Sequence, residues 1–338
     1  MNTRLPLLSS ASIAQKAFDL GINGYEFVEY APLAKNIDGI PWQEYQSRHC
    51  QVFGIGNANP LGLFLIFHGG GGDVGYAENA DILNKAVYLA NLGYIAVCVE
   101  YRRGWSNVGF TDDEIDPDSP EAQRNLFDLT KQEYRRQEYA ARLSFEDGLL
   151  ALDFLFHRYR NAADVAVYME GTSFGAAMVL DLTVMNTSAR KYNIKGAIAG
   201  FGGVNKDDLV FGNLINPTAC PMLLIGGTAD PIVPFWQGEY YCKGMITGLG
   251  SGAIAGMIRA KGGIAYLIGT TNKGHGYGAV NESKNEQFQT FFSMMSKVEN
   301  GEDVNKNLWL KLGPNKTKSL STEMDAVASF NVRCNYAV

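Results

Sequence analysis

Six short apolar runs constrain the fold of this chain more than any other feature. None of them alternates strictly with polar residues, which is typical of strands buried on both faces of a parallel sheet. The runs occupy 61–67, 94–101, 165–170, 196–201, 221–227 and 264–269. Helical patterns fall between most of them, at 78–92, 131–160, 174–186, 252–261 and 284–298. Alternating strands and helices predict an α/β fold, a doubly wound and mostly parallel sheet with helices on both faces.

The helical patterns carry some local detail. The helix over 78–92 is expected to end at Gly93, because glycine is the preferred residue just past a helix end. Within 131–160, four apolar residues recur at helical spacing and are expected to share one side of the helix. These residues are Tyr139, Leu143, Leu150 and Phe154.

Two segments interrupt the rhythm of strands and helices. Residues 102–130 include the polar stretch TDDEIDPDSPEAQ and are expected to form an exposed excursion over the site. Residues 299–338 are polar and are expected to form a surface extension. No low-complexity linker divides the chain, so the sequence predicts a single domain over 1–338 with its core at about 50–298 and no large cap domain.

Charge and hydropathy narrow the classes of partner. Of the 338 residues, 19% are charged and the net charge is −6. A nucleic-acid partner is therefore not expected, because phosphate contacts require a basic face. No apolar stretch in the sequence approaches the roughly 20 residues needed to cross a bilayer, so no membrane span is expected.

The compartment is indicated only weakly. The beginning, MNTRLPLLSSASIAQKAFDL, has some features of a secretion signal, but its apolar patch is short and interrupted, and an amphipathic segment packed on the domain is the alternative. The five cysteines form no metal-ligand spacing. Their odd number favours a reducing, cytoplasmic compartment, whereas Cys50 and Cys334 could pair in an oxidising one.

The chemistry lies where the predicted strands end. Ligands of an open parallel sheet bind beyond the carboxyl ends of its strands. The first run is followed by HGGGGD at 68–73, and the third by GTSFG at 171–175. The fifth leads into GTADPIVP at 227–234, and the sixth is followed by GHGYG at 274–278. A glycine loop, a serine, an aspartate and a histidine therefore follow four strands in that order.

This order of motifs resembles the α/β-hydrolase fold family over residues 50–298. The resemblance implies that Ser173 is the nucleophile, Asp230 the orienting acid and His275 the general base. In that family the G-x-S-x-G pattern places the serine on a strained strand-to-helix turn, where glycines two positions away leave room for it. A serine hydroxyl needs such a base, since it is a poor nucleophile until its proton is removed.

The same resemblance implies an oxyanion hole. The backbone N–H of Phe174, directly after the nucleophile, is one predicted donor, and an N–H of Gly70 or Gly71 is the other. His68 is expected to brace this glycine loop rather than to transfer protons. Two other acids remain alternatives to Asp230, namely Asp73 and Asp207.

The motifs also indicate a subgroup and a reaction. HGGGG together with VEYRRG is similar to lipase- and carboxylesterase-type hydrolases, including carbohydrate-ester and feruloyl-type esterases. GTADPIVP is similar to the dienelactone-hydrolase branch. The resemblance implies hydrolysis of a small-molecule or carbohydrate ester with no cofactor and no metal. A serine peptidase of the prolyl-oligopeptidase type and a catalytically silent binding protein are the alternatives, and the oligomeric state is not indicated.

Aromatic residues near the motifs predict the shape of the pocket. Trp105, Phe235, Trp236 and Tyr277 are predicted to line it, although such residues often belong to the core. A compact aromatic pocket has no room for a long acyl chain. The sequence therefore predicts a preference for acyl groups between acetyl and butyryl.

Overall fold

The computed structural model describes the chain in segments, and of residues 129–140 it describes only the backbone. The segments are 10–32, 48–72, 75–102, 129–159, 166–185, 191–205, 220–239, 247–276, 286–302, 309–311 and 317–319. They belong to two compact units, Met1–Tyr168 and Met169–Val338. The division falls within a strand, Val167–Thr172. The single domain stays a prediction.

The amino-terminal unit contains a four-strand array in the order β1-β2-β4-β3. Its strands are β1 (Tyr25–Ala31), β2 (Arg48–Phe53), β3 (Leu63–Phe67) and β4 (Ile95–Val99). β3 and β4 pair in parallel and are buried along their whole length, as their unbroken apolar sequences require. β1 and β2 pair antiparallel, and β2 pairs antiparallel with β4.

Three helices accompany these strands: α1 (Ser10–Asp19), α2 (Ala80–Asn91) and α3 (Leu129–Arg158). The end of α2 shows why glycine stands at 93. Gly93 has φ 101, its N–H donates to Ala90 O, and the N–H of Tyr94 donates to Leu89 O. This pair of hydrogen bonds satisfies the last carbonyls of the helix and needs a left-handed residue. The predicted helix end is confirmed.

The apolar residues at helical spacing in α3 do not mark a side that is buried along its whole length. Leu150 is 45% exposed, whereas Leu143 is 4% exposed, so the two do not share a buried side. The buried positions of the helix include the aspartate at 147 together with Ala151 and Leu155. Apolar spacing could not predict this, because Asp147 is buried through ion pairs with arginines from outside the helix.

The carboxyl-terminal unit holds the strands that lead to the sequence motifs. Their order is β5-β6-β8-β11-β12-β13, and β6, β8, β11 and β12 pair in parallel. The strands are β5 (Val167–Thr172), β6 (Ile194–Gly200), β8 (Met222–Gly227), β11 (Ala265–Thr270), β12 (Trp309–Lys311) and β13 (Thr317–Ser319). A separate small antiparallel sheet comprises β7 (Gly203–Asn205), β10 (Thr247–Gly250) and β9 (Gln237–Glu239).

The helices of this unit are α4 (Phe174–Leu180), continued by a π-helical turn (Asp181–Met185), α5 (Ser251–Ala260) and α6 (Glu286–Glu299). Each lies within two residues of its predicted range at both ends. All six apolar runs form strands, which confirms the α/β, mostly parallel fold. The excursion from 103 to 128 lies outside the described residues, so the absence of a cap domain stays a prediction.

Two further expectations concern the whole chain. Among the helices that the structure describes, none is long and apolar enough to cross a membrane. Cys50 and Cys98 are buried, and neither forms a disulfide among the described residues; burial raises the pKa of the Cys50 thiol. Cys334 lies outside the described residues.

Candidate active site

Ser173 stands at the junction of β5 and α4. It is the residue before the helix, with φ 58 and ψ −119. A positive φ costs an L-residue roughly 1–2 kcal/mol and persists only where the surroundings hold it. Here the N–H of Ser173 donates to Gly200 O at 2.7 Å, and its carbonyl accepts the N–H of Ala176 at 2.9 Å. The serine is therefore held on a strained strand-to-helix turn.

The glycines around Ser173 have a steric reason. A Cβ on Gly171 would lie 2.1 Å from the carbonyl oxygen of Gly175, far inside contact distance. The strand end and the first helical turn thus cross without room for a side chain at 171. A Cβ on Gly202 would lie 2.5 Å from Cβ of Ala176. The expectation that glycine makes room for the serine is confirmed at Gly171.

The structure brings Ser173, His275 and Asp230 together in one hydrogen-bonded row. Nε2 of His275 lies 2.9 Å from Oγ of Ser173, and Nδ1 lies 2.7 Å from Oδ2 of Asp230. The histidine side chain is 17% exposed and the aspartate side chain 2%. All three residues belong to the carboxyl-terminal unit.

The partners of the imidazole fix its tautomer. An ionised carboxylate only accepts hydrogen bonds, so Nδ1 of His275 carries the proton that points at Asp230. Nε2 is then an acceptor, and the Ser173 hydroxyl donates to it. The imidazole is thereby poised to remove the serine proton.

The carboxylate of Asp230 is oriented by the backbone that follows it. Its Oδ1 accepts the N–H groups of Ile232 at 2.9 Å and Val233 at 3.0 Å. This leaves Oδ2 aimed at His275. The Asp230-Pro231 pair begins a turn, as these residue types often do, and the hydrogen bonds of this turn fix the Asp230 carboxylate.

The loops that carry Asp230 and His275 are joined by hydrogen bonds. The N–H of Ala229 donates to Lys273 O at 3.0 Å, and the N–H of Asn272 donates to Oγ1 of Thr228 at 2.9 Å. They also cross closely, since a Cβ on Gly227 would lie 2.2 Å from Lys273 O. The second glycine of GG at the end of β8 is required by this crossing.

Phe201 is a neighbour of the row that sequence reasoning missed. It follows β6, is 1% exposed and has φ 58. Its ring lies edge-to-face with the ring of His275, with 5.8 Å between centroids. The only sequence signal was an aromatic residue at the end of an apolar run, which the pattern assigns to the strand.

The glycine loop belongs to the amino-terminal unit. His68 is fully buried, its Nδ1 lies 2.8 Å from Gly69 O, and its ring stacks on Tyr101 at 4.2 Å. This agrees with the expectation that His68 braces the loop. Gly70 and Gly71 have φ 124 and 66, which favour glycine. Their part in an oxyanion hole stays a prediction.

The predicted pocket residues are only partly described. Phe235 is 4% exposed and packs edge-to-face on Trp236 at 5.0 Å. A Cβ on Gly226 or Gly252 would lie within 2.9 Å of the Phe235 ring. Their pocket role stays a prediction. Residues 73, 105, 207 and 277 lie outside the described residues.

Among the described residues, one group could hold a metal ion. His49, Glu78 and Glu100 have ligand atoms within 4.8 Å of one another. These atoms already have protein partners, since Glu78 bonds to His49 and Gln51 and Glu100 accepts the N–H of Ala77. Hydrogen bonds alone account for the cluster.

Comparison with known proteins shows the fold. No family model matches the sequence, and no curated protein matches it. The thermophilic esterase 2 of the planctomycete Thermogutta terrifontis superposes with a TM-score of 0.51 at 15% identity, over 82% of this chain and 93% of the esterase. The same esterase phosphorylated by paraoxon superposes with a TM-score of 0.51 at 16% identity, over 82% and 95%. Its propionate-bound structure has a TM-score of 0.50 at 15% identity, over 87% and 97%.

The chain has the α/β-hydrolase fold, as the motifs implied.

Proposed function

We propose that the protein is a serine hydrolase that cleaves carboxylic esters through an acyl-enzyme. The observation that carries this proposal is the row in which His275 bridges the Ser173 hydroxyl and the Asp230 carboxylate. A base within hydrogen-bond reach of a serine, itself oriented by an acid, is the arrangement that activates a serine hydroxyl. The strained backbone of Ser173 supports the same role.

Acylation follows from the geometry of the row. Oγ of Ser173 attacks the ester carbonyl carbon while Nε2 of His275 takes the hydroxyl proton. The resulting imidazolium is stabilised by the carboxylate of Asp230. When the tetrahedral intermediate collapses, Nε2 returns the proton to the leaving alcohol and the acyl group remains on Ser173.

Deacylation repeats these steps with water in place of the alcohol. His275 takes a proton from the water that attacks the acyl carbon, and then returns it to Oγ of Ser173 as the acid leaves. The net reaction is ester and water to acid and alcohol. The chain's own side chains perform every proton transfer.

The developing oxyanion needs N–H donors, each contributing about 2.7–4 kcal/mol. We assign one donor to Phe174, because it directly follows the nucleophile and begins helix α4. The second is assigned to Gly70 or Gly71, whose backbone carries no side chain that would screen an N–H.

The substrate class in this proposal is a small ester with a short acyl group. Esterase 2, which shares the fold, has been solved with propionate bound. On p-nitrophenyl esters, kcat/KM should peak between acetyl and butyryl and fall by octanoyl. A maximum at dodecanoyl, or activation by emulsified triglyceride, would identify a lipase instead.

Fluorophosphonate labelling tests the reaction class directly. The folded protein should be labelled at Ser173, and the Ser173→Ala variant should be neither labelled nor active. Absence of labelling in the folded parent protein would overturn the proposal in favour of a silent binding protein. Faster cleavage of peptidyl anilides than of p-nitrophenyl esters would favour a peptidase.

A further inference from the structure

We propose that Phe201 is a positioning residue, which holds the imidazole of His275 in line between Ser173 and Asp230. The proposal rests on the proposed function, since it assigns a role within the same site. It begins from a conflict between residue type and backbone conformation.

The backbone of Phe201 adopts a φ angle that disfavours its bulky side chain. Phe201 has φ 58, a left-handed conformation that is unusual for a bulky residue. Glycine would adopt it freely, and glycines stand on both sides, at 200 and 202. A glycine at position 201 would relieve the backbone strain, yet the chain has a phenylalanine there. Such strain indicates a role for the side chain that strains it.

The backbone on either side of Phe201 is fixed to the strands that carry the row. Its own N–H donates to Ile225 O in β8 at 2.7 Å, and the preceding carbonyl, of Gly200, accepts the N–H of Ser173 at 2.7 Å. Residues 200 and 201 thus join the strand of the nucleophile to the strand that leads to the acid. A ring attached here has a fixed position relative to both.

The ring meets the third member of the row. The Phe201 and His275 rings are 5.8 Å apart between centroids, with planes inclined at 67°. Phe201 is 1% exposed, so the ring is a rigid apolar wall beside the imidazole. Rotation of the imidazole about its ring torsion would break both of its hydrogen bonds. A wall that restricts this rotation keeps both nitrogens on their partners.

The position also gives a way to separate the ring from ordinary core packing. Phe201→Ala removes the ring and keeps the strained φ, whereas Phe201→Gly removes the ring and relieves the strain. If Phe201 only supported stability, activity would follow stability and the glycine variant would be the more active. If it positions His275, both variants lose activity together.

The experiment measures kcat, KM and the thermal unfolding midpoint of four variants on p-nitrophenyl acetate. Phe201→Ala and Phe201→Gly should each lower kcat by roughly 10- to 100-fold with KM changed less than about threefold, as expected for a misplaced catalytic group. The unfolding midpoint of the glycine variant should exceed that of the alanine variant. Phe201→Leu, which restores most of the volume, should recover a large part of kcat.

Phe291→Ala provides the matched control. Phe291 is fully buried and packs near Gly196, close to the opposite end of β6 from Phe201. Its removal leaves a similar cavity, so it should lower the unfolding midpoint and leave kcat within about twofold.

A spectroscopic measurement reports on the imidazole itself. In the parent protein, the Nδ1 proton of His275 should give a resolved downfield NMR signal, because it is held against a carboxylate. The signal should broaden or vanish in Phe201→Ala and persist in Phe291→Ala. A structural role for Phe201 would not move it.

The outcomes separate the two proposals. If the parent protein hydrolyses the ester and Phe201→Ala keeps its kcat, the positioning role is overturned and the hydrolase stands. If the parent protein is inactive and unlabelled by fluorophosphonate, the proposed function fails first. If the alanine variant does not fold, the glycine and leucine variants decide by the same comparison of kcat with KM.

Discussion

The molecule contains two histidine–carboxylate pairs that look alike taken alone. His49 and Glu78, in the amino-terminal unit, approach to 2.5 Å with side chains 13% and 9% exposed. His275 and Asp230, in the carboxyl-terminal unit, approach to 2.7 Å with side chains 17% and 2% exposed. Neither distance nor burial distinguishes them.

Their next neighbours differ. Glu78 also accepts a hydrogen bond from Gln51, and Gln51 accepts one from the Tyr25 hydroxyl. Burial and the charge of Glu78 raise the pKa of Tyr25 to about 12. This series of hydrogen bonds therefore ends in a hydroxyl that keeps its proton. The other pair ends in Ser173, on a strained turn. A histidine–carboxylate pair alone therefore does not indicate a catalytic site. The group that hydrogen-bonds to the pair, a tyrosine network in one case and a serine in the other, distinguishes the two.

The largest expected effect contrasts the two histidines. His275→Ala should lower kcat by at least about 10⁴-fold, because the serine loses its base. His49→Ala should leave kcat within about threefold and lower stability instead. Ester hydrolysis and circular dichroism of both variants measure the contrast. Equal losses of kcat in the two variants would contradict the different roles assigned to His275 and His49.

The second prediction concerns the two acids. Asp230→Asn should keep the fold and lower kcat by about 10⁴-fold, since an amide favours the wrong imidazole tautomer. Glu78→Gln should leave kcat nearly unchanged. Full activity of Asp230→Asn would point to another acid, such as Asp207.

The third prediction tests whether polar groups of the amino-terminal unit serve stability. Asp147 is fully buried and bonds Arg102 at 2.7 and 2.8 Å. Asp147→Ala should lower the free energy of unfolding by about 3–5 kcal/mol, because it leaves a buried guanidinium without its carboxylate. Urea unfolding measures this. Asp153→Ala is the control on the same helix, because that side chain is 41% exposed and its ion pair with His157 lies at the surface; it should change the free energy of unfolding by less than about 1 kcal/mol.

The smallest effect is a pH dependence at Glu78. Burial raises its pKa, but hydrogen bonds from His49 and Gln51 and the charge of His49 outweigh burial, so the pKa lies below the ordinary 4.5. A lowered carboxyl pKa adds stability above 4.5 that is lost as pH falls through the folded value. The stability difference between the parent protein and Glu78→Gln should therefore shrink below pH 4.5. Glu29→Gln is the control, because Glu29 is exposed. If the stability difference between the parent protein and Glu78→Gln did not change with pH, the lowered pKa of Glu78 would be contradicted.

The sequence could predict the elements that burial dictates. All six apolar runs became strands because unbroken apolar sequence has few alternatives to a doubly covered sheet. The same rule overlooked β1, because its sequence YEFVEYA alternates and its residues are buried on one face only, with Val28 and Tyr30 buried and Phe27 and Glu29 exposed. Unbroken apolar runs indicate strands that are buried on both faces and do not indicate half-buried ones.

The candidate site followed a similar division. The order of motifs predicted Ser173, Asp230 and His275, because each follows a buried strand. The position of Phe201 beside His275 could not be predicted from sequence. It depends on a positive φ at Phe201 and on a ring contact between residues 74 positions apart. Buried Asp147 escaped for the same reason, as its arginine partners come from distant segments.

The crossing of the acid and base loops has a consequence for chimaeric proteins. Thr228 N–H donates to Thr270 O, and Ala229 N–H donates to Lys273 O, while Gly227 leaves the space that Lys273 O occupies. The described residues 222–239 and 247–276 therefore have to be inherited together, because the donors, the acceptors and the glycine at 227 must come from the same parent. A recombination breakpoint between them could place a side chain at position 227 from one parent against the carbonyl at position 273 from the other. Breakpoints just outside these residues would transfer acid and base intact, so natural shuffling and laboratory libraries should both favour those positions.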